Sequence, residues 1–164
     1  MSVLLKIKVN RSEVLNEVGR QTGYIGKKRD KEDGTYDRIA TIKPDDALLS
    51  QFFIEGSNTV TSELKSFHAS FSSEGNNEMG EIVKGYFAEC PMSDNWDSSL
   101  IEHINSSVFR FLVNYITYRW LMQVMDFNEA VVYDKIAKES LNNIITSLYE
   151  TTRPSHGYNK PLPN

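Results

Sequence analysis

The sequence predicts a mainly α fold with a small β element (α+β), and three patterns carry the expectation. Residues 97–125 and 126–151 each read as a long helix, and so little chain separates them that they pack as an antiparallel helical hairpin. Residues 44–67 carry a third helical stripe. Residues 3–9 and 81–90 alternate as strands do, which places a short antiparallel sheet beside the helices. A chain of 164 residues suits one α-rich domain, residues 1–152, followed by an extended C-terminal arm at 153–164.

The first strand, "VLLKIKV" at residues 3–9, is rich in branched side chains that fit a pleated surface. Asn10 with Glu13 three residues later has capping-box spacing and opens a helix through Val14, Leu15 and Val18, whose end is weakened by Gly19 and Gly23. From Gly26 to Thr41 the chain turns polar and charged and reads as a loop or loose hairpin, with a turn at Asp33 and Gly34.

Pro44 suits the first position of the next helix, where its missing donor costs nothing, and Asp45 and Asp46 suit the positive end of the helix dipole. Its buried stripe is Leu48, Leu49, Phe52, Phe53, Gly56, Val60, Leu64 and Phe67, and "GSNTVT" is where it is expected to kink or split. Residues 72–80 form a turn-rich linker, a strand follows, and Pro91 ends that strand. "SDNWDSSL" supplies caps for a helix running to about residue 125. Asp126 and Glu129 repeat the capping-box spacing at the last helix, whose stripe is Ala130, Tyr133, Ala137, Leu141, Ile144 and Leu148. Three prolines after Arg153 prevent the helix from continuing.

The composition, 40% hydrophobic and 24% charged with a net charge of -4, is that of a soluble globular chain and gives no whole-molecule attraction to nucleic acid. Cys90 is the only cysteine, which excludes an internal disulfide and a thiolate metal cluster and fits an intracellular origin. The N-terminal apolar run is broken by Lys6 and Lys8 and lacks the long core and cleavage site of a signal peptide.

No catalytic pattern emerges. "GYIGKK", residues 23–28, imitates a phosphate loop but has Gln21 where the first glycine belongs and Lys28 where Ser or Thr belongs. The basic run at Lys27, Lys28, Arg29 and Lys31 is interleaved with Asp30, Glu32, Asp33 and Asp37, which makes it a solvated face rather than a nucleic-acid footprint. His68, His103 and His156 lack metal-ligand spacing, and no nucleophile elbow surrounds any serine. Asp45 with Asp46, and Glu13 with Glu17, are helix-start and surface acids rather than an acid and base pair. The reading is therefore a non-enzyme with no cofactor, no metal and no small-molecule substrate.

One stretch asks for a partner. "RFLVNYITYRWLMQVM", residues 110–125, is helical yet apolar on nearly every side. Arg110, Asn114, Arg119 and Gln123 recur too often for it to cross a membrane. One apolar line, through Phe111 and Tyr115, is expected to face the hairpin partner and the helix at 44–67. A second, Phe109, Val113, Ile116, Trp120 and Val124, is left without an evident cover and is the candidate subunit interface, since Trp, Tyr, Met and Arg are enriched there.

The order of "VLNEVGRQTGYIGKK", "DDALLSQFFIEGSNTVTSELKSF", "GYFAECPMSDNWDSSL" and "YRWLMQVMDFNEAVVYDKIAKESLNNIITSLYETTRP" resembles small virion proteins of phages and prophages of Bacteroides-type bacteria. The W-L, E-A-x-x-Y and L-Y-x-x-x-R-P positions carry most of the likeness. The resemblance implies a head-to-tail connector, neck or tail ring subunit that forms homomeric rings, contacts other neck or tail proteins, and resides in the virion after assembly in the bacterial cytoplasm. The alternative is a small intracellular helical regulatory or nucleic-acid-binding protein, which would need a helix with one basic face.

Overall fold

The computed structural model describes residues 3–29, 38–42, 45–71 and 84–152. In chain order these form β1 (Val3–Asn10), α1 (Arg11–Arg29), α2 (Asp46–Leu64) with a closing 3-10 turn at Lys65–Phe67, β2 (Ser70–Phe71), β3 (Gly85–Met92), a 3-10 turn at Ser98–Leu100, α3 (Ile101–Gln123) and α4 (Phe127–Leu148). The architecture is mainly helical with a small antiparallel sheet of order β1-β3-β2.

Alternation sorts the two long strands cleanly. Leu5, Ile7 and Val9 pair with Cys90, Ala88 and Tyr86, and all six are buried against the helices. Lys6 opposite Glu89 and Lys8 opposite Phe87 lie on the outer face, where the Lys6 ammonium meets the Glu89 carboxylate at 3.2 Å. The strand does not stop before Pro91: it continues through Pro91 and Met92, which pair with Leu4 and Val3. Pro91 is tolerated because the ladder bonds at this register belong to its neighbours, so its missing N–H points toward the β2 side, where β2 pairs only with Ala88 and Glu89. Gly85 is required by close approach, since a Cβ there would stand 2.4 Å from the Val9 carbonyl oxygen.

The outer edge of β1 is closed by a side chain. Asn105 of α3 donates from Nδ2 to the Lys6 carbonyl at 2.9 Å, while its Oδ1 accepts the Lys8 amide at 2.9 Å. This fork imitates a neighbouring strand and satisfies backbone groups that would otherwise invite one.

The first helix is longer than its glycines suggest. It runs through Gly19, Gly23 and Gly26 to Arg29, so Gly26 to Lys28, expected as loop, are helical. Tertiary packing outweighs propensity here. Val14, Val18, Thr22 and Ile25 are buried, and the Thr22 hydroxyl donates back to the Val18 carbonyl at 3.0 Å. The turn expected at Asp33 and Gly34 lies outside the described residues, as do Pro44, the 72–80 linker and the arm at 153–164.

The second helix passes through "GSNTVT" without a break. Thr59, Thr61 and Ser62 donate to the carbonyls of Glu55, Ser57 and Asn58, which keeps their hydroxyls inside the helix rather than competing with it. Gly56 admits α3, because a Cβ there would lie 3.0 Å from Leu112 and 3.1 Å from Tyr115.

The hairpin is held at both ends. At its tip the Met125 amide donates to the Met122 carbonyl and the Asp126 amide to the Leu121 carbonyl at 2.9 Å, a Schellman ending with Met125 in the left-handed region at φ 60°. Asp126 then caps α4 by accepting the Glu129 amide. At the open end the Trp96 indole donates to the Ser147 carbonyl at 3.0 Å, Trp96 bridges to Thr151, and the Thr152 amide donates to the Asn95 carbonyl at 2.8 Å.

Candidate assembly surfaces

The line expected to face a second subunit is mostly covered by the chain itself. Ile116 is fully buried, Val113 and Trp120 are nearly so, and Phe109 and Val124 are partly buried. Val113, Ile116 and Trp120 belong to the main core, and a second small cluster lies beside them. Ile25 of α1 and Ile39 close over Leu121 and Ala130, with Val124 packed against them, and the Trp120 indole donates to the Ile39 carbonyl at 2.6 Å. Phe109 and Val113 instead line a groove of about 370 Å³ between α1 and α4, with Glu17, Arg110, Asn114 and Tyr133 around it. Ile116 and Trp120 are thus core residues of this chain.

Apolar surface is exposed elsewhere. Met122, Met125, Phe127 and Val131 are 41%, 75%, 55% and 67% exposed, and all four stand at the tip of the hairpin. Phe127 and Val131 are one helical turn apart and share a face of α4. Met125 is notable because glycine would hold the left-handed position without steric cost, whereas an exposed methionine is strained there. From Trp120 to Asp134 the chain carries Asp126, Glu129 and Asp134 and no Lys or Arg. Asp126 is buried as a cap, and Asp134 accepts from the Lys138 ammonium at 2.6 Å.

The outer face of the sheet is the second exposed feature. A concavity of about 610 Å³ is bounded by Lys6, Lys8, Lys84, Ser70, Phe87 and Glu89. A Cβ on Gly85 would meet the Phe87 ring at 3.0 Å, so Phe87 lies across that glycine and gives the concavity an aromatic floor. Three lysines against one glutamate make the rim positive on a chain that is negative overall.

Side chains with chemical potential are used structurally. Cys90 is buried, and burial pushes its thiol up to about 11. Burial likewise raises the Tyr86 phenol, whose oxygen lies 3.1 Å from the Thr61 hydroxyl. The Arg119 guanidinium meets Glu55 at 2.8 Å and lies over the Phe52 ring, fixing α3 to α2. Among the described residues no group of three His, Cys, Asp or Glu side chains could hold a metal ion, and no helix is long and apolar enough to cross a membrane. "GYIGKK" lies within α1, so its amides are spent on the helix rather than gathered into a phosphate cradle.

No family model, no curated protein and no solved structure matches this chain.

Proposed function

We propose that the chain is a non-enzymatic structural protein of a phage virion, a head-to-tail connector, neck or tail ring subunit that assembles through homo-oligomeric contacts and meets other neck or tail proteins. The observation that carries the assembly part of this reading is the hairpin tip, where Met122, Met125, Phe127 and Val131 are exposed together and one of them occupies a backbone position that disfavours it. Clustered exposed apolar side chains are the signature of an interaction surface, and strain at an exposed site is retained where it serves a contact. The phage part rests on the sequence pattern around "YRWLMQVMDFNEAVVY" and the L-Y-x-x-x-R-P ending.

Sedimentation of the purified protein across a hundredfold concentration range tests assembly, and deletion from a phage genome that encodes it tests the virion role. Oligomers at the high end, together with particles that package DNA but fail to join heads to tails, are the expected results. A monomer throughout, with infectious particles after deletion, would sink the proposal.

A further inference from the structure

Polar side chains are most informative where a helix buries them. Of the polar strip Arg110, Asn114 and Thr117 on α3, only Arg110 reaches open water, since Asn114 is 6% exposed and Thr117 is fully buried. Thr117 is satisfied within the fold, by the Val113 carbonyl at 2.8 Å and the Gln21 carboxamide at 3.1 Å. Asn114 is satisfied only by half. Its Nδ2 donates to the Arg110 carbonyl at 2.6 Å, whereas the described residues give its Oδ1 no donor. An acceptor on so buried a side chain needs a partner, and the groove of about 370 Å³ that Asn114 lines is where one can reach it.

The groove extends beyond that volume. A second hollow of about 360 Å³ adjoins it, and the two share Glu17, Gln21 and Tyr133 as walls. Each is of the size that small-ligand sites have. Among the charged side chains that line them, the Glu17 carboxylate is taken by Arg20 at 2.7 Å. Arg110, which has no ion-pair partner among the described residues, is left as the uncompensated cation. Phe109, Val113 and Ile136 supply apolar wall beside it.

We propose that this groove binds a small carboxylate with a flat apolar body and an N–H or O–H donor at its far end. The carboxylate meets the Arg110 guanidinium, the body lies against Phe109 and Val113, and the donor reaches Asn114 Oδ1. Arg110 and Asn114 are one turn apart on α3, about 5–6 Å between Cβ atoms, so a single ring spans the two. A donor on the ligand replaces water at Asn114 without loss, whereas a purely apolar end leaves the acceptor unfilled. The hairpin tip and the sheet contribute no residue to the groove, so the inference stands apart from the assembly reading.

Titration of the isotope-labelled full chain with 4-aminobenzoate, benzoate and 4-aminobenzamide, followed by backbone and carboxamide NMR signals, tests the proposal. Saturable shifts at Val113, Asn114 and Gln21 below about 10 mM 4-aminobenzoate are expected, the range open to a ligand of this size. Benzoate, which lacks the donor, should bind at least threefold more weakly, and 4-aminobenzamide, which lacks the charge, at least tenfold more weakly. Arg110 is exposed, so Arg110→Gln should leave the rest of the spectrum in place while losing at least tenfold in affinity, and Arg110→Lys should recover part of it. In Asn114→Ala the preference for 4-aminobenzoate over benzoate should vanish; should that variant not fold, the wild-type comparison of the two compounds still tests the Asn114 contact. Equal affinity for benzoate would remove Asn114 from the site, and equal affinity for 4-aminobenzamide would remove Arg110; either result overturns the proposal. So does the absence of saturable shifts in the groove, or binding that Arg110→Gln leaves unchanged.

Discussion

The indole N–H of Trp120 reaches the carbonyl of Ile39, 81 residues earlier, at 2.6 Å, and this bond locks the most apolar part of α3 beneath the segment that follows α1. Both groups are buried, so neither has water as an alternative partner. Trp120→Phe keeps a ring in place but leaves the Ile39 carbonyl without its donor. The variant should lose about 1–3 kcal/mol in urea unfolding, the cost of an unsatisfied buried acceptor, with further loss from the smaller ring. A change below about 0.5 kcal/mol would mean that the carbonyl finds water and that the segment is held by Ile39 packing alone.

Asn105 predicts a different failure. Its side chain is matched to the edge of β1 as donor and acceptor, so Asn105→Ala exposes a Lys6 carbonyl and a Lys8 amide on an edge that no strand among the described residues occupies. The expected loss is about 1–2 kcal/mol, since two modest bonds disappear at a site that water can reach. The sharper readout is hydrogen exchange: the Lys8 amide should exchange at least tenfold faster while Leu5 and Ile7, paired to β3, remain protected. Uniform acceleration along β1 would show that the residue holds the whole sheet rather than its edge.

These two contacts mark where local reading of the chain succeeds and fails. The hairpin was legible because Asp126 and Glu129 announce a helix start directly after an apolar run, and because the stripe from Ala130 to Leu148 has only one way to be buried. The β1 and β3 pairing was legible from period-two alternation. The length of α1 was not, since Gly19, Gly23 and Gly26 signal a break, and what offsets them is burial of Thr22 and Ile25 against elements distant in sequence. With residues 26–41 read as loop, nothing local announces that the Ile39 carbonyl accepts from the Trp120 indole, so Trp120 reads as lacking a cover within the chain. Asn105 was invisible for the same reason, because a polar residue on an amphipathic helix reads as solvent-facing until the strand edge opposite it is known.

Alkaline pH should destabilise the fold through Cys90. Burial raises its thiol from 9.0 to about 11, so the folded state favours the protonated form. Below pH 9 the thiol is protonated both folded and unfolded, and its contribution is fully present. Between pH 9 and 11 the unfolded chain releases the proton while the folded chain retains it, and stability falls by on the order of 2 kcal/mol. Tyr86, raised by the same cause, extends the loss to higher pH. Urea midpoints measured from pH 7 to 11 should stay level and then decline, and Cys90→Ala should flatten the first part of that decline. A wild-type midpoint unchanged at pH 10.5 would mean that the thiol is reached by water.

Met125 separates stability from assembly. In its left-handed conformation methionine costs roughly 1 kcal/mol relative to glycine, part of which glycine returns through the greater freedom of the unfolded chain. Met125→Gly should therefore raise the melting temperature by about 1–4 °C, keep the Schellman bonds of Met122 and Leu121, and remove the most exposed apolar side chain of the tip. If the tip is a contact, the same substitution weakens association severalfold, so the variant melts higher yet assembles less. Thermal unfolding of dilute protein and sedimentation of concentrated protein read the two effects separately. A higher melting temperature with undiminished assembly would take Met125 out of the interface and leave its strain without a use.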